Sequence, residues 1–532
     1  MKKHFLHLGL VFLIGCSAVA QNKDAVKYSQ GINKDNAYKH LSVLASDEYE
    51  GRETGKKGGW LAAEYIRDHF KSIGLKGPLA GSYFQPIDMV TLGLAQVLTI
   101  DGQPAEALKE FYIAPQVVSG SGFTFNCNSI LFAGYGLTKE GYNDFGGIDV
   151  TGKVVMIFKD GGPNATGQSS PGNAASLLNA KLKYFNEQKA TAVLLVDLAV
   201  DNMSSNLKNY LQSEQMVMRT KENMEKMNKP QPMPVINIST ATANKILAAA
   251  GTTAEALKKK ITDSGKPASQ EINISVSASA NKIEKKVRTE NVLGFLEGSD
   301  AKLKKEVLVI TAHYDHIGVN PNAPGDDKIN NGADDDGSGT TGVLMIAEAF
   351  AKAKKAGRGP KRSILFMTVS GEEKGLLGSE WYSEYPVFPL ENTITNLNID
   401  MIGRGDKEHA DDNNFVYIIG SDMLSTDLDR IGKKANKDYV NINLDEKYNN
   451  RTDPNRFYYR SDHYNFAKHG IPVIFYFNGV HDDYHQPGDE VDKIDFPMLA
   501  KRAKLVYFTA WELANGAKRP VVDKNDDGSI KK

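Results

Sequence analysis

The chain has 532 residues, with 64 Lys and Arg against 65 Asp and Glu. That length is more than one hydrophobic core serves, so two folded units with short appendages are expected. A net charge of -1 suggests no nucleic-acid or membrane-surface binding, and the lysine-rich stretches at 258–260 and 352–355 read as solvated helix faces.

At the N-terminus, Lys2 and Lys3 precede an apolar run over 5–14. This is the layout of a secretory leader, and it is too short to span a bilayer as a stable helix. Export to the periplasm or the exterior is therefore expected, with residues 1–20 as a signal peptide. Ala18-Val19-Ala20 fits ordinary cleavage, the preferred exit. Leu13-Ile14-Gly15-Cys16 resembles a lipoprotein box, which would instead place a lipid anchor on Cys16 and the protein at the outer membrane. With simple cleavage Cys127 remains alone, so no intrachain disulfide forms. No other segment is long and apolar enough to cross a membrane.

Residues 37–75 read as two helices around a glycine-rich turn, with Leu61, Ala62, Tyr65, Ile66, Phe70 and Ile73 at core-facing helical spacing. From about 111 to 275 the texture changes to strand-like runs at 129–132, 153–158, 191–196 and 234–238, separated by Gly, Asn and Ser, which predicts a smaller β-rich domain. Beyond Arg288, apolar strands at 307–311, 364–369, 395–399, 415–419 and 473–477 alternate with amphipathic helices. Near-continuous Val, Ile, Leu and Phe runs belong inside a sheet covered on both faces. The fold class expected is α/β: a three-layer α/β/α sandwich with a mixed, largely parallel sheet, built from 29–110 and 285–515 and interrupted by the domain at 111–275. Residues 516–532 read as a disordered tail. Within it, Asp523-Lys524-Asn525-Asp526-Asp527-Gly528 imitates the start of a calcium loop but lacks the bidentate Glu.

Residues with metal-ligand chemistry stand where these apolar strands give out, the position at which open α/β sheets place their sites. They are Ala312-His313-Tyr314-Asp315-His316, Gly332-Ala333-Asp334-Asp335-Asp336-Gly337, Ser370-Gly371-Glu372-Glu373, Asn398-Ile399-Asp400-Met401 and Asp483-Tyr484-His485. A lone His after a strand is ordinarily structural, and an Asp triplet beside Gly is ordinarily a turn or cap. The succession of His, Asp, Glu, Asp and His at strand ends of one domain is what carries meaning.

Together these motifs resemble the co-catalytic two-zinc aminopeptidase family, which includes secreted bacterial leucyl aminopeptidases, glutamate carboxypeptidase and glutaminyl cyclase. The resemblance extends to the opening Ser46-Asp47-Glu48-Tyr49-Glu50-Gly51-Arg52-Glu53-Thr54-Gly55, and it implies that the inserted domain is a protease-associated domain. It implies two Zn2+ ions, with Asp335 bridging them and followed by a cis peptide bond to Asp336. His313 and Asp400 would complete one ion's protein ligands, and Glu373 and His485 the other's. Glu372 would be the unligated general base.

The chemistry of the residues agrees with that assignment. Two divalent cations against the carboxylates of Asp335, Glu373 and Asp400 leave one net positive charge, which favours a metal-bridged hydroxide near neutral pH. His and carboxylate ligands without Cys suit catalytic zinc. Adjacent carboxylates diverge on a regular backbone, so one can bind while its neighbour faces the water, and the resemblance makes Glu373 the ligand and Glu372 the base. Asp315 is expected to accept a hydrogen bond from the second ring nitrogen of His313 and so fix its tautomer. Tyr484 is a candidate donor to the oxyanion. Ser461-Asp462-His463 is not a hydrolytic triad, because three consecutive residues diverge; support of the site wall is expected.

The function implied is an exported metallo-aminopeptidase acting on peptides with a free N-terminus. Three alternatives stand beside it: a glutamate-type carboxypeptidase using Arg404 or Arg460 for an acidic terminus, a single-zinc glutaminyl cyclase, and a receptor-like module without catalysis, which predicts missing ligands.

Overall fold

The structure is a computed structural model that describes residues 21–139, 141–160, 162, 171–227, 229, 231–525 and 527–531. The expectations on the leader and Cys16 lie outside these residues. Tertiary contacts divide the chain at Ile87/Asp88 and again at Val287/Arg288.

The unit formed by the two terminal segments carries an eight-stranded sheet. Its strands are β1 (Phe84–Pro86), β2 (Glu290–Leu296), β3 (Val307–His313), β4 (Ser363–Val369), β5 (Thr393–Ile399), β6 (Phe415–Ile419), β7 (Asn443–Asp445) and β8 (Val473–Phe477). They run side by side in the order β1-β2-β4-β3-β5-β8-β6-β7. β4, β3, β5 and β8 are mutually parallel, so their C-terminal ends share one edge, while β2 and β6 run opposite to this set, β1 pairs antiparallel with β2 and β7 pairs parallel with β6. The mixed three-layer sandwich expected from the strand pattern is therefore what this unit forms.

Alternation along a strand assigns side chains to the two faces. Leu308, Ile310 and Ala312 of β3 join one core, and Val307 and Val309 join another. The first core is covered by α1 (Lys34–Leu44), α2 (Lys57–Ser72), α3 (Gly339–Lys355) and α6 (Phe496–Asn515). Tyr382 of α4 (Leu377–Glu384) and Phe466 of α5 (His463–Ala467) pack into the second. Each fully buried Leu, Ile or Phe contributes about 1.5–3 kcal/mol. The helices start where capping residues allow: Asn33 accepts from the amides of Asp35 and Asn36, and Asp495 from that of Met498.

The second unit, 88–287, has a nine-stranded sheet and takes in more chain than the 111–275 expected. Met89–Ile100 pairs antiparallel with Gln270–Val287, whose C-terminal half lies beyond the expected boundary. Phe123–Phe132, Val154–Phe158, Ala192–Val196 and Val235–Ile238 are parallel, with helices such as Pro171–Glu187 and Thr240–Leu247 among them, so the unit is α/β in texture and not only β-rich. Cys127 is unpaired.

No helix among the described residues is long and apolar enough to cross a membrane. The C-terminal stretch, expected to be disordered, is instead tied down: Asp523 caps the helix Thr426–Ala435 through the Thr426 amide at 3.0 Å, and Lys524 reaches Asp422 at 2.9 Å. These pairings join residues about a hundred positions apart and leave no local sequence signal.

Candidate metal centre

His313 is the last residue of β3, Glu372 and Glu373 follow β4, Asp400 follows β5, and His485 lies on the loop after β8. Parallel strands thus deliver four of the five expected ligands to one edge of the sheet, and Asp335 joins them from the turn Ala333–Ser338 that leads into α3. His313 Nε2 is 3.3 Å from Asp335 Oδ1 and 3.6 Å from Asp400 Oδ1. His485 Nε2 is 3.1 Å from Asp335 Oδ2 and 3.2 Å from Glu373 Oε2. One oxygen of Asp335 faces each group, the disposition a bridging carboxylate requires.

A residue not singled out as a ligand joins the second group. The ring of His316 is fully buried, with Nδ1 2.8 Å from Glu373 Oε1 and 3.7 Å from Asp335 Oδ2. Its position three residues past His313, on the turn that leaves β3, was the one available signal.

Glu372 and Glu373 diverge. Glu373 belongs with His316, Asp335 and His485, whereas Glu372 lies beside His313 and Asp400, with Oε2 4.0 Å from His313 Nε2. Burial and the carboxylates of Asp400, Asp462 and Glu373 hold the Glu372 carboxyl well above its usual range, against the opposing pull of His313.

The donor set fits divalent cations. Buried Asp335 Oδ2, Glu373 Oε1, His316 Nδ1 and His485 Nε2 converge, yet none meets another along a hydrogen-bonding direction. Ligand atoms about 2.0–2.1 Å from a tetrahedral zinc stand about 3.3 Å apart, close to the spacings here. The carboxylates also call for positive charge: burial works against the His485 imidazolium, but Asp335 and Glu373 outweigh it and push its pKa up to about 10.

Neighbouring residues hold the ligands. The peptide bond between Asp335 and Asp336 is cis. Asp489 accepts from the Asp334 amide at 3.0 Å and from the Asp335 amide at 3.1 Å. Asp336 accepts from the amides of Gly339 at 2.8 Å, Met401 at 3.0 Å and His313 at 3.2 Å, joining three ligand-bearing segments. Gly339 opens α3 directly against this carboxylate; a Cβ there would lie 2.3 Å from Asp336 Oδ1.

Asp315 holds His313 through a different atom from the one expected. His313 Nδ1 lies 3.0 Å from the main-chain carbonyl of Asp315 and 3.8 Å from its carboxylate. The carboxylate instead accepts from Thr54 Oγ1 at 2.7 Å and from the Glu372 amide at 3.3 Å. A side chain two residues along a strand end leaves on the same face but cannot fold back onto the ring as readily as its own carbonyl can.

Ser461 donates to Asp400 Oδ2 at 2.6 Å and accepts from Asn398 at 2.8 Å. Asp462 accepts from Ser379, and His463 stacks on Phe475 with ring centroids 4.6 Å apart. These three residues face different partners in the site wall. Tyr484 stacks on His485 with centroids 3.8 Å apart. Its hydroxyl pKa is raised by burial and then by Asp335, Glu373 and Asp400.

A pocket opens beside His313, Asp335, Glu372 and Asp400, walled by Met401, Phe457, Phe475, Phe477 and Val480, with Arg460 and Tyr484 on its lining. Arg404 does not line it; its guanidinium is held by Asp483 at 2.8 Å.

Residues 291–510 match the sequence model of peptidase family M28. The match covers less than half of the chain, and the matched segment contains all five expected ligands and His316. A protein of Arthroderma otae described as "Probable leucine aminopeptidase" is 31% identical over 243 residues, 44% of this chain and 61% of that one. One of Pyrenophora teres f. teres described as "Probable zinc metalloprotease" is 27% identical over 308 residues, 50% of this chain and 60% of that one. The chain thus spans about six-tenths of the length of these curated relatives. Among solved structures, BSAP, a zinc aminopeptidase from Bacillus subtilis, aligns over 92% of this chain and 96% of its own with 19% identity and a TM-score of 0.46.

Proposed function

We propose that this chain is an exported two-zinc aminopeptidase that releases the N-terminal residue of peptides. The observation that carries this reading is the split of Asp335 between two groups of ligand atoms, His313 with Asp400 and His485 with Glu373. The names of the curated relatives, leucine aminopeptidase and zinc metalloprotease, agree with it. The leader-like pattern at 1–20 supports export.

When bound, zinc would supply Lewis acidity that polarises the scissile carbonyl and acidifies the attacking water. The residues of the chain do the rest. Glu372, beside both His313 and the pocket, takes a proton from the water and passes it to the departing amine. Tyr484 lines the same pocket, where its hydroxyl would donate to the oxyanion. The wall of Met401, Phe457, Phe475, Phe477 and Val480 excludes water and accepts an apolar N-terminal side chain.

Arg460 on the pocket lining favours a second reading, a glutamate-type carboxypeptidase that holds a substrate carboxylate. Two measurements separate the possibilities. Hydrolysis of leucyl nitroanilide should cease on chelation and return with zinc; turnover that survives chelation rules out the metal reading. N-acetylation of a peptide should abolish its cleavage, whereas equal cleavage of free and acetylated peptides selects the carboxypeptidase.

A further inference from the structure

We propose that His316 is a third imidazole ligand of the metal pair, closing the position of Asp335, Glu373 and His485 with four protein ligands. The position of His313 and Asp400 is then the open one. The inference rests on the two-metal reading above and adds a residue to it.

One ligand atom from each of His316, Asp335, Glu373 and His485 falls within 4.8 Å of all the others. Nδ1 of His316 is nearest to Glu373 Oε1, at 2.8 Å, and the His316 and His485 rings meet edge to face at 5.6 Å. None of His316 Nδ1, Asp335 Oδ2, Glu373 Oε1 and His485 Nε2 makes a hydrogen bond, although all are buried. Each buried polar atom left without a partner costs about 1–3 kcal/mol. A single proton satisfies two such atoms; a cation at their common centre satisfies four.

The ring is also held where a ligand must be. The His316 amide donates to the Arg52 carbonyl at 3.3 Å, and Gly332 lies close to the imidazole ring. A Cβ at Gly332 would come within 2.5 Å of His316 Cδ2 and 2.6 Å of Cγ, so glycine is the residue that leaves the ring its place. Four protein ligands make a closed position of the kind that retains zinc, and three make an open one that exchanges it and admits substrate. The two zinc ions should therefore leave in sequence.

The test uses the full chain, stripped of metal and titrated with zinc against a chromophoric chelator. Two ions should bind, and His316→Ala should weaken the tighter one roughly 100-fold or more while leaving the weaker one unchanged, since even outer-sphere losses reach that range. Asp400→Asn should do the converse. Zinc X-ray absorption on the unmutated protein needs no variant to fold, and three imidazoles per two zinc ions are expected. Two imidazoles per pair, or both affinities in His316→Ala within threefold of the original, would overturn the proposal and make His316 an ion-pair partner of Glu373, with the two-metal reading intact. A protein that binds fewer than two zinc ions fails that reading itself, and this one with it.

Discussion

Glu372 and Glu373 are neighbours in sequence and chemically alike, yet the fold places them in different groups of ligand atoms. The separation has a consequence that mutation exposes. Glu372→Gln should lower kcat by about 10²–10⁴-fold, the usual worth of a positioned general base, with zinc content per chain unchanged. The same substitution at Glu373 should release metal. Measuring turnover and zinc stoichiometry on both variants checks the assignment, and joint loss of metal and activity in Glu372→Gln would make it a ligand. Asp400 depends on its surroundings in turn, through the line Thr311, Asn398 and Ser461, each linked by a hydrogen bond of 2.8 Å or less.

At the scale of elements, the segment from 46 to 55 supports the site without lining it. Arg52 is 1% exposed and donates to four carbonyls, those of Leu44, Tyr314, Asn331 and Gly332, at 2.6–2.8 Å. One guanidinium thereby ties α1 to the turn after β3 and to the loop that carries Asp335. Burial lowers its pKa, while Asp489 and Asp335 pull the other way. Gly332 in that loop has φ +57°, and a Cβ there would sit 2.3 Å from the Asp335 carbonyl as well as against His316. A left-handed backbone costs a non-glycine residue about 1–2 kcal/mol before any clash. Gly332→Ala should therefore destabilise the protein by at least about 2 kcal/mol, read as a lowered urea midpoint at unchanged m.

At the scale of the whole molecule, buried imidazoles set an acid limit. Burial, with repulsion from His40, lowers the pKa of His69 to about 4, and burial lowers that of His463 to about 3. Unfolded, both titrate near 6.5. Between those values the unfolded chain binds more protons, so stability is complete above about pH 6.5 and is lost as pH falls through 4 and 3. Each group accounts for about 1.4 kcal/mol per unit across its window. Thermal unfolding of the zinc-loaded protein from pH 8 down to 4 should show the decline, and His463→Phe should flatten part of it.

The apolar runs at 415–419 and 473–477 became strands with those same ends, and the polar residues after 307–311, 364–369 and 395–399 proved to stand together. That much was legible because strand periodicity and strand-end chemistry are local properties of the chain. The pairing of Met89–Ile100 with Gln270–Val287 joins segments nearly two hundred residues apart, and neither strand marks the other in its own sequence. His316 and Arg52 were illegible for a related reason. A histidine on a turn or an arginine on a loop has the same local signature whether it meets solvent, a carbonyl or a metal site, and only the packing of distant segments around it decides which. The sequence alone determined which residues have ligand chemistry and on which strands they ride; the tertiary structure decided which of their atoms converge, because convergence is a property of the distances between strands and loops that no single segment contains.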